Sequence, residues 1–376
     1  MRIEQFRQRL RDLGAGPDHE QRVLRLWARA LPQDSGRRPT ESFMPKALRD
    51  ALPALSDELA GLARLRSEHP AEDGSARLLV ELADGQAVES VLLPRGGLCV
   101  STQVGCAVGC RFCMTGRDGL LRQLGSAEIV AQVVLARGLD TRRAAPGAPS
   151  APGATKGPLH GPWAGERSEL GGSRLTPIRK VVFMGMGEPA HNLDNVLEAI
   201  ELLGTAGGIG HKNLVFSTVG DRRVFERLPL GTVKPALALS LHSTKPELRA
   251  ALLPRAPRID PREMVALGER YALATGYPIQ YQWTLLEGIN DGDDELDGIV
   301  RLLAGKYAMM NMIPYNDVEG LGFHRPPRER AVAIARSLAR RGILTRLRRS
   351  AGQDVEAGCG QLRARSLVDA AVTAPA

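Results

Sequence analysis

From Val181 to Arg349 the sequence switches between two periods, and this alternation limits the fold more than any other feature. Apolar runs with strand character (VVFMGMG, NLVFSTV, ALALSLHS, IQYQWTLL, YAMMNMIP and ILTRLRR) are separated by stretches with apolar residues at helical spacing, among them LDNVLEAIELLG, DPREMVALGERYALA and DDELDGIVRLLAG. Near-continuous apolar strands belong to sheets covered on both faces, and repeated strand-helix-strand units build a parallel sheet or a barrel of βα units. In such folds the working side chains stand just past the strand ends. The stretches GMGEP, STVG, SLHST and IPYN fall at those ends.

The first ninety residues read differently. MRIEQFRQRLRDLG, EQRVLRLWARAL and MPKALRDAL have helical spacing, and RLLVELADGQAVESVLL alternates like a hairpin around Asp84-Gly85. The expected organisation is an accessory RNA-binding domain over 1–90, a βα core over 91–349 and a C-terminal segment over 350–376, with a Pro- and Gly-rich insertion at about 142–173. At 376 residues and 43% hydrophobic composition, the chain can bury a large core. It has no apolar run of the roughly 18 to 20 residues that a membrane span needs, and its charged start is unlike a signal peptide, so a cytoplasmic location without membrane contact is expected. A net charge of +8 suits a polyanionic partner such as RNA, although a solvated basic surface gives the same number.

Three of the five cysteines lie within eight residues, Cys106, Cys110 and Cys113, in GCAVGCRFCMTG. An odd and low count argues against a disulfide framework and for metal or redox chemistry. Three thiolates can join a fourth ligand around zinc, or hold a [4Fe-4S] cluster with one iron open to a substrate or cofactor. Phe112 offers an aromatic body beside the loop, and Gly105 and Gly109 provide the backbone freedom to wrap a bound group.

The C-x3-C-x2-C spacing, with an aromatic residue before the third cysteine, resembles the signature of the radical S-adenosylmethionine enzymes. That resemblance implies a partial (β/α)6 barrel of TIM type within an α/β fold, and a [4Fe-4S] cluster on Cys106, Cys110 and Cys113. The open iron would bind S-adenosyl-L-methionine, whose cleavage yields a 5′-deoxyadenosyl radical. Three further stretches, CVSTQVGC, MGMGEP and GQDVEAGCGQL, make the chain similar to the RNA adenine methyltransferases of the RlmN and Cfr group.

In that group the two cysteines outside the cluster take part in the reaction, which here implies Cys99 and Cys359. An amidine carbon is not nucleophilic, so adenine cannot attack a sulfonium methyl directly; a cysteine thiolate can. The resemblance implies that Cys359 is methylated and then carries the carbon to the base. Glu89, in AVESVLLP, accepts a proton, and Cys99 releases the product while forming a transient disulfide with Cys359. Gly187, Glu188, Ser217, Ser240, Leu241, His242 and Asn316 sit where the group contacts S-adenosylmethionine, although hydroxyls and amides at strand ends also cap helices. The implied partners are RNA, ribosomal or transfer, and an electron donor such as a flavodoxin or ferredoxin, with the enzyme a monomer.

Departures from the group's pattern at Tyr315 in IPYN, at Gln353 and in RRSAG (348–352) leave the RNA and the base carbon, C2 or C8, open. The target adenosine must leave its stack to be reached, which favours a loop or structured RNA. The arginine-rich stretches RLRRS and LARRG are candidates for phosphate contacts. Two rival readings are a radical enzyme acting on a non-RNA substrate and a zinc-stabilised, non-catalytic RNA-binding protein.

Overall fold

The computed structural model describes residues 1–36, 38–117, 119–144, 177–317 and 320–348, with side chains described up to 139 in the third of these ranges. Four helices open the chain: α1 (Ile3–Asp12), α2 (Pro17–Ala28), α3 (Thr40–Phe43) and α4 (Lys46–Gly61). Strands β1 (Ala63–Pro70), β2 (Ala76–Leu82), β3 (Ala87–Leu93) and β4 (Gly97–Cys99) follow. A small hairpin of β5 (Gln103–Gly105) and β6 (Leu120–Gln123) leads to α5 (Ser126–Ala144). Alternation then takes over with β7 (Lys180–Phe183), α6 (Leu193–Gly204), β8 (Leu214–Thr218), α7 (Arg222–Arg227), β9 (Ala236–Ser240), α8 (Pro246–Leu252) and α9 (Pro261–Thr275). The last units are β10 (Ile279–Leu285), α10 (Asp293–Leu303), β11 (Ala308–Pro314), α11 (Arg328–Arg340) and β12 (Thr345–Leu347).

Ten strands form one sheet in the order β1-β2-β3-β4-β7-β8-β9-β10-β11-β12. The β1 to β4 pairs are antiparallel, and every pair from β4 to β12 is parallel. The hairpin expected at Asp84-Gly85 is β2-β3, with Gly85 at φ +80° in its turn. The boundary expected after residue 90 falls inside β3, and the N-terminal strands extend the parallel sheet. The strand order is open, with edges at β1 and β12 rather than a closed ring.

Side-chain alternation gives the sheet two unlike faces. Val181, Phe183, Leu214, Phe216, Leu237, Leu239, Tyr281, Trp283, Met310 and Met312 join one large apolar core with residues of α1, α2, α4, α5, α6, α9, α10 and α11. The N-terminal helices belong to that same layer: Ser126 Oγ accepts from the Ile3 amide at 2.8 Å, and Glu198 accepts from the Glu4 amide at 2.7 Å. The opposite face carries the alternate residues, including Glu89, Cys99, Lys180, Ser217, Ser240, Gln282 and Asn311.

This second face is concave. Lys180 on β7 lies within electrostatic reach of Arg346 and Arg348 at β12, and their charges add to burial in pushing its pKa down. Five strand spacings separate β7 from β12, which in a flat sheet is about 24 Å. Val219 past β8, Leu286 past β10 and Tyr315 past β11 meet Val108 in a single apolar cluster, so the sheet curls toward this face. No helix among the described residues is long and apolar enough to cross a membrane.

Candidate active site

The three-thiol loop is the connection of the β5-β6 hairpin, closed by the Cys106 amide donating to Gly119 O at 2.9 Å and the Cys113 amide donating to Cys110 O at 3.1 Å. Gly105 takes φ +79°, and a Cβ there would stand 2.1 Å from Gly119 O. Gly109 takes φ +63°, and a Cβ on Gly116 would stand 2.8 Å from the Gly109 Cα. The loop therefore folds back on itself where only glycine fits. Its apolar side packs on Val219, Leu252, Leu253, Leu286 and Tyr315. Phe112 meets His242 edge-on, with ring centroids 5.0 Å apart.

The thiols share one electrostatic neighbourhood. Burial pushes Cys106 up to about 12, with the charges of Glu188 and Cys113 adding to it. Burial also raises Cys110 well above its usual value, reinforced by Cys113 and Cys106. Desolvation and mutual repulsion keep thiols of this loop protonated, and only a bound cation could stabilise three thiolates there, releasing their protons as it binds. Among the described residues no group of three or more His, Cys, Asp or Glu is closed around a single-ion position. The donor set and its desolvation nevertheless fit a multi-iron cluster held from one side.

The strand ends facing this loop carry most of the residues expected to meet S-adenosylmethionine. A Cβ on Gly185 would lie 2.7 Å from the Val100 carbonyl, and one on Gly187, at φ +104°, 2.6 Å from the Gln103 Cβ. The glycines of GMGEP thus let the end of β7 lie directly on residues 100–103. That approach places the Glu188 amide 2.7 Å from Gln103 Oε1. The Glu188 carboxylate accepts from the Ala190 amide at 3.0 Å and the Val219 amide at 2.9 Å, tying the end of β7 to that of β8. Burial raises its pKa, opposed by the Thr218, Val219 and Ala190 hydrogen bonds. Gly187→Ala is therefore expected to cost about 1 to 3 kcal/mol, the range for a strained backbone position, measured as a lower urea midpoint, and to weaken S-adenosylmethionine binding in equilibrium dialysis.

Ser217 and Ser240 stand at the ends of β8 and β9 on the concave face. His242 has φ +60°, and its Nδ1 accepts from the Thr284 amide at 3.0 Å. Burial pushes its pKa down to about 3, with Arg249 adding to the effect, so the ring is neutral at ordinary pH. Leu241 is fully buried in the helix-side core and offers only backbone groups to a ligand. Asn316 receives Arg325 Nη2 on its Oδ1.

Cys99 and Glu89 share the concave face on adjacent strands. Cys99 pairs with Val91 on β3 and with Val182 on β7, and Glu89 lies two residues from Val91. Burial pushes the Cys99 thiol up to about 12, while the opposing charges of Arg77 and Glu89 both reach it. Glu89 forms a buried ion pair with Arg77, 3.4 Å apart at 1% and 2% exposure. Cys359 lies outside the described residues, as do nearly all of the 142–173 insertion and all of the 350–376 segment.

Two charged residues at this site are not legible as functional in the sequence. Arg77 shows only as a cation in the strand RLLVEL, and its pairing with Glu89 comes from the β2-β3 register, which sets Arg77 opposite Val91. Arg249 on α8 is 4% exposed and donates to Val219 O and, at 3.2 Å, to Ser240 O. Burial pushes its pKa down to about 10, and the fields of Cys110 and Glu188 hold it up. It is a buried cation within the field of the thiol loop, with helical spacing its only trace in the sequence.

No family model matches the chain. A probable RNA methyltransferase of Methylibium petroleiphilum is 72% identical over 98% of this chain and 94% of its own length. The chain belongs to that family. A probable RNA methyltransferase of Pseudomonas aeruginosa is 62% identical over 97% of this chain and 96% of its own. Among solved structures, a radical SAM methyltransferase from Sphaerobacter thermophilus superposes with a TM-score of 0.74 at 30% identity, covering 96% of this chain and 97% of that one. The family member described here thus has the mixed α/β fold, with a large and mostly parallel sheet, of a radical SAM methyltransferase.

Proposed function

We propose that the chain methylates an adenine carbon of ribosomal or transfer RNA, C2 in preference to C8, through a methylated Cys359, within a partial (β/α)6 barrel. The observation that carries this reading is the concave face itself: Cys99 and the buried Arg77-Glu89 pair stand on it together with the strand ends that lead to the three-thiol loop. Cys106, Cys110 and Cys113 would hold the [4Fe-4S] cluster, which with bound S-adenosylmethionine supplies one-electron chemistry that a closed-shell transfer to carbon cannot provide. Glu188, Ser217, Ser240 and the backbone of Leu241 would orient the cofactor. The burial of Cys99 and Glu89 would keep water from the reacting groups.

The remaining roles fall to the chain's own side chains. Cys359 would carry the transferred carbon on its sulfur. Cys99, protonated at neutral pH because of its burial, must lose a proton to attack that sulfur; Glu89, kept in place by Arg77, is the carboxylate on the same face that can take one. Attack of the Cys99 thiolate on the Cys359 sulfur would break the bond between Cys359 and the transferred carbon; the bonding pair would stay on that carbon, which takes up a proton to become the methyl group, and the two sulfurs would be left as a disulfide that a cellular reductant must reopen.

The test combines anaerobically reconstituted protein, methyl-deuterated S-adenosylmethionine and total RNA, followed by nucleoside mass spectrometry. The expected product is a methyladenosine that retains two deuteriums of the three, with chromatography assigning C2 or C8. Retention of all three would mean direct transfer and would overturn the thioether route. Formation of 5′-deoxyadenosine with no altered nucleoside would move the activity to a non-RNA substrate.

A further inference from the structure

The concave face carries a second cluster that the roles above do not use. Lys180 begins β7, two residues before Val182, the direct neighbour of Cys99. Two rises along a strand put it about 7 Å from the Cys99 row. Arg346 lies opposite Asn311 in the β11-β12 register, and Arg348 Nε donates to Asn311 Oδ1 at 3.2 Å. Lys180 is half-buried, whereas Arg346 and Arg348 are exposed, so solvent and a ligand can reach them. Among the described residues none of the three cations has a carboxylate partner.

On a solvated surface, like charges on flexible side chains spread apart. Here Arg346 and Arg348 stand together on one side of β12, fixed beside Asn311 of β11 by register and by a hydrogen bond, and Lys180 lies within reach of their fields. The cluster also consists only of donors, since lysine and arginine have no acceptor atoms. A fourth donor points the same way: Asn311 is 1% exposed, its Oδ1 is taken by Arg348, and its Nδ2 has no partner among the described residues. A buried amide donor left open beside three unpaired cations is complementary to an anion rich in acceptors.

We propose that Lys180, Arg346, Arg348 and Asn311 form a subsite for an RNA phosphate adjoining the target nucleotide. The proposal rests on the reading of the chain as an RNA methyltransferase. A phosphate held one row from Cys99 would position the sugar, and so the base, against the thiol without reading sequence, as phosphate contacts generally do. This subsite adds Lys180 and Asn311 to the arginine-rich RLRRS stretch and places the contact inside the concave face.

The experiment uses the full-length reconstituted protein and a fluorescein-labelled single-stranded RNA 20-mer, with affinity measured between 50 and 200 mM salt. The variant is Lys180→Gln with Arg346→Gln, accepted once its iron content and thermal midpoint match wild type; the single substitutions serve if it does not fold. Arg336→Gln, on the exposed side of α11, is the control. The expected result is a log-log salt slope shallower by about 0.7 for each phosphate that the variant no longer neutralises, with binding weakened about tenfold at 100 mM and no change in the control. Wild-type slope and affinity in the variant would overturn the subsite while leaving the RNA reading intact. Unchanged RNA binding with loss of methyl transfer would give the cluster a role other than holding a phosphate, and would also overturn it. If the wild-type protein neither binds RNA with salt dependence nor modifies it, the RNA reading fails, and the subsite with it.

Discussion

Cys99→Ala is expected to keep its iron and cleave S-adenosylmethionine, yet accumulate RNA joined covalently to the protein. The substitution is mild for the fold. Cys99 sits in a small apolar cluster with Val91, Val182, Val215, Ala236 and Ala238, and removing one sulfur there costs about 1 kcal/mol. Chemically the loss is near complete, because no other described thiol stands on that face to displace Cys359 from the adduct: Cys106, Cys110 and Cys113 belong to the loop beyond the strand ends. A denaturing gel with labelled RNA should show a retarded band that nuclease removes. That band should be absent from Cys359→Ala and from the double variant, both of which transfer no methyl group. Release of free methylated RNA by Cys99→Ala at the wild-type rate would remove Cys99 from the mechanism.

Arg77→Met should lower stability by about 3 to 5 kcal/mol, the usual cost of leaving one charge of a buried pair behind. Arg77 and Glu89 are 2% and 1% exposed, so water cannot solvate the abandoned carboxylate. Arg77→Met combined with Glu89→Leu should recover most of the loss, because replacing both members with apolar side chains removes the uncompensated charge. Urea titration of wild type, the two single variants and the double variant closes a double-mutant cycle. Strictly additive effects would show that Arg77 does not hold Glu89 in place, leaving the carboxylate's position on the concave face without its support.

Much of the helix and strand order is legible in the sequence. The six apolar runs from VVFMGMG to ILTRLRR contain β8 to β12 and all but the first residue of β7, and the periodic stretches between them cover the whole of α6 and α10 and all but the last residue of α9. Local signals suffice for such elements, because periodicity, turn glycines and N-caps such as Asp260 are properties of neighbouring residues. Strand β1, ARLRSEHP, does not read as a strand because only its first residue is buried and the remainder is largely polar, as suits an edge. The three-residue strands β4 and β5 are too short for any period to show.

The candidate site divides along the same line. The thiol spacing of Cys106, Cys110 and Cys113, and the backbone freedom at Gly105 and Gly109, were determined by the sequence by itself, since a loop that must wrap a bound group states its requirements within a dozen residues. Tertiary structure alone decided that Arg77 pairs with Glu89, that Arg249 lies beside the thiol loop and that Lys180 falls within the fields of Arg346 and Arg348. Those contacts depend on strand register and on curvature accumulated over successive strand pairs, and a side chain's charge reveals neither. Burial then gives the contacts their chemical weight, because withdrawing water is what turns a nearby charge into one that shifts a thiol or binds a phosphate.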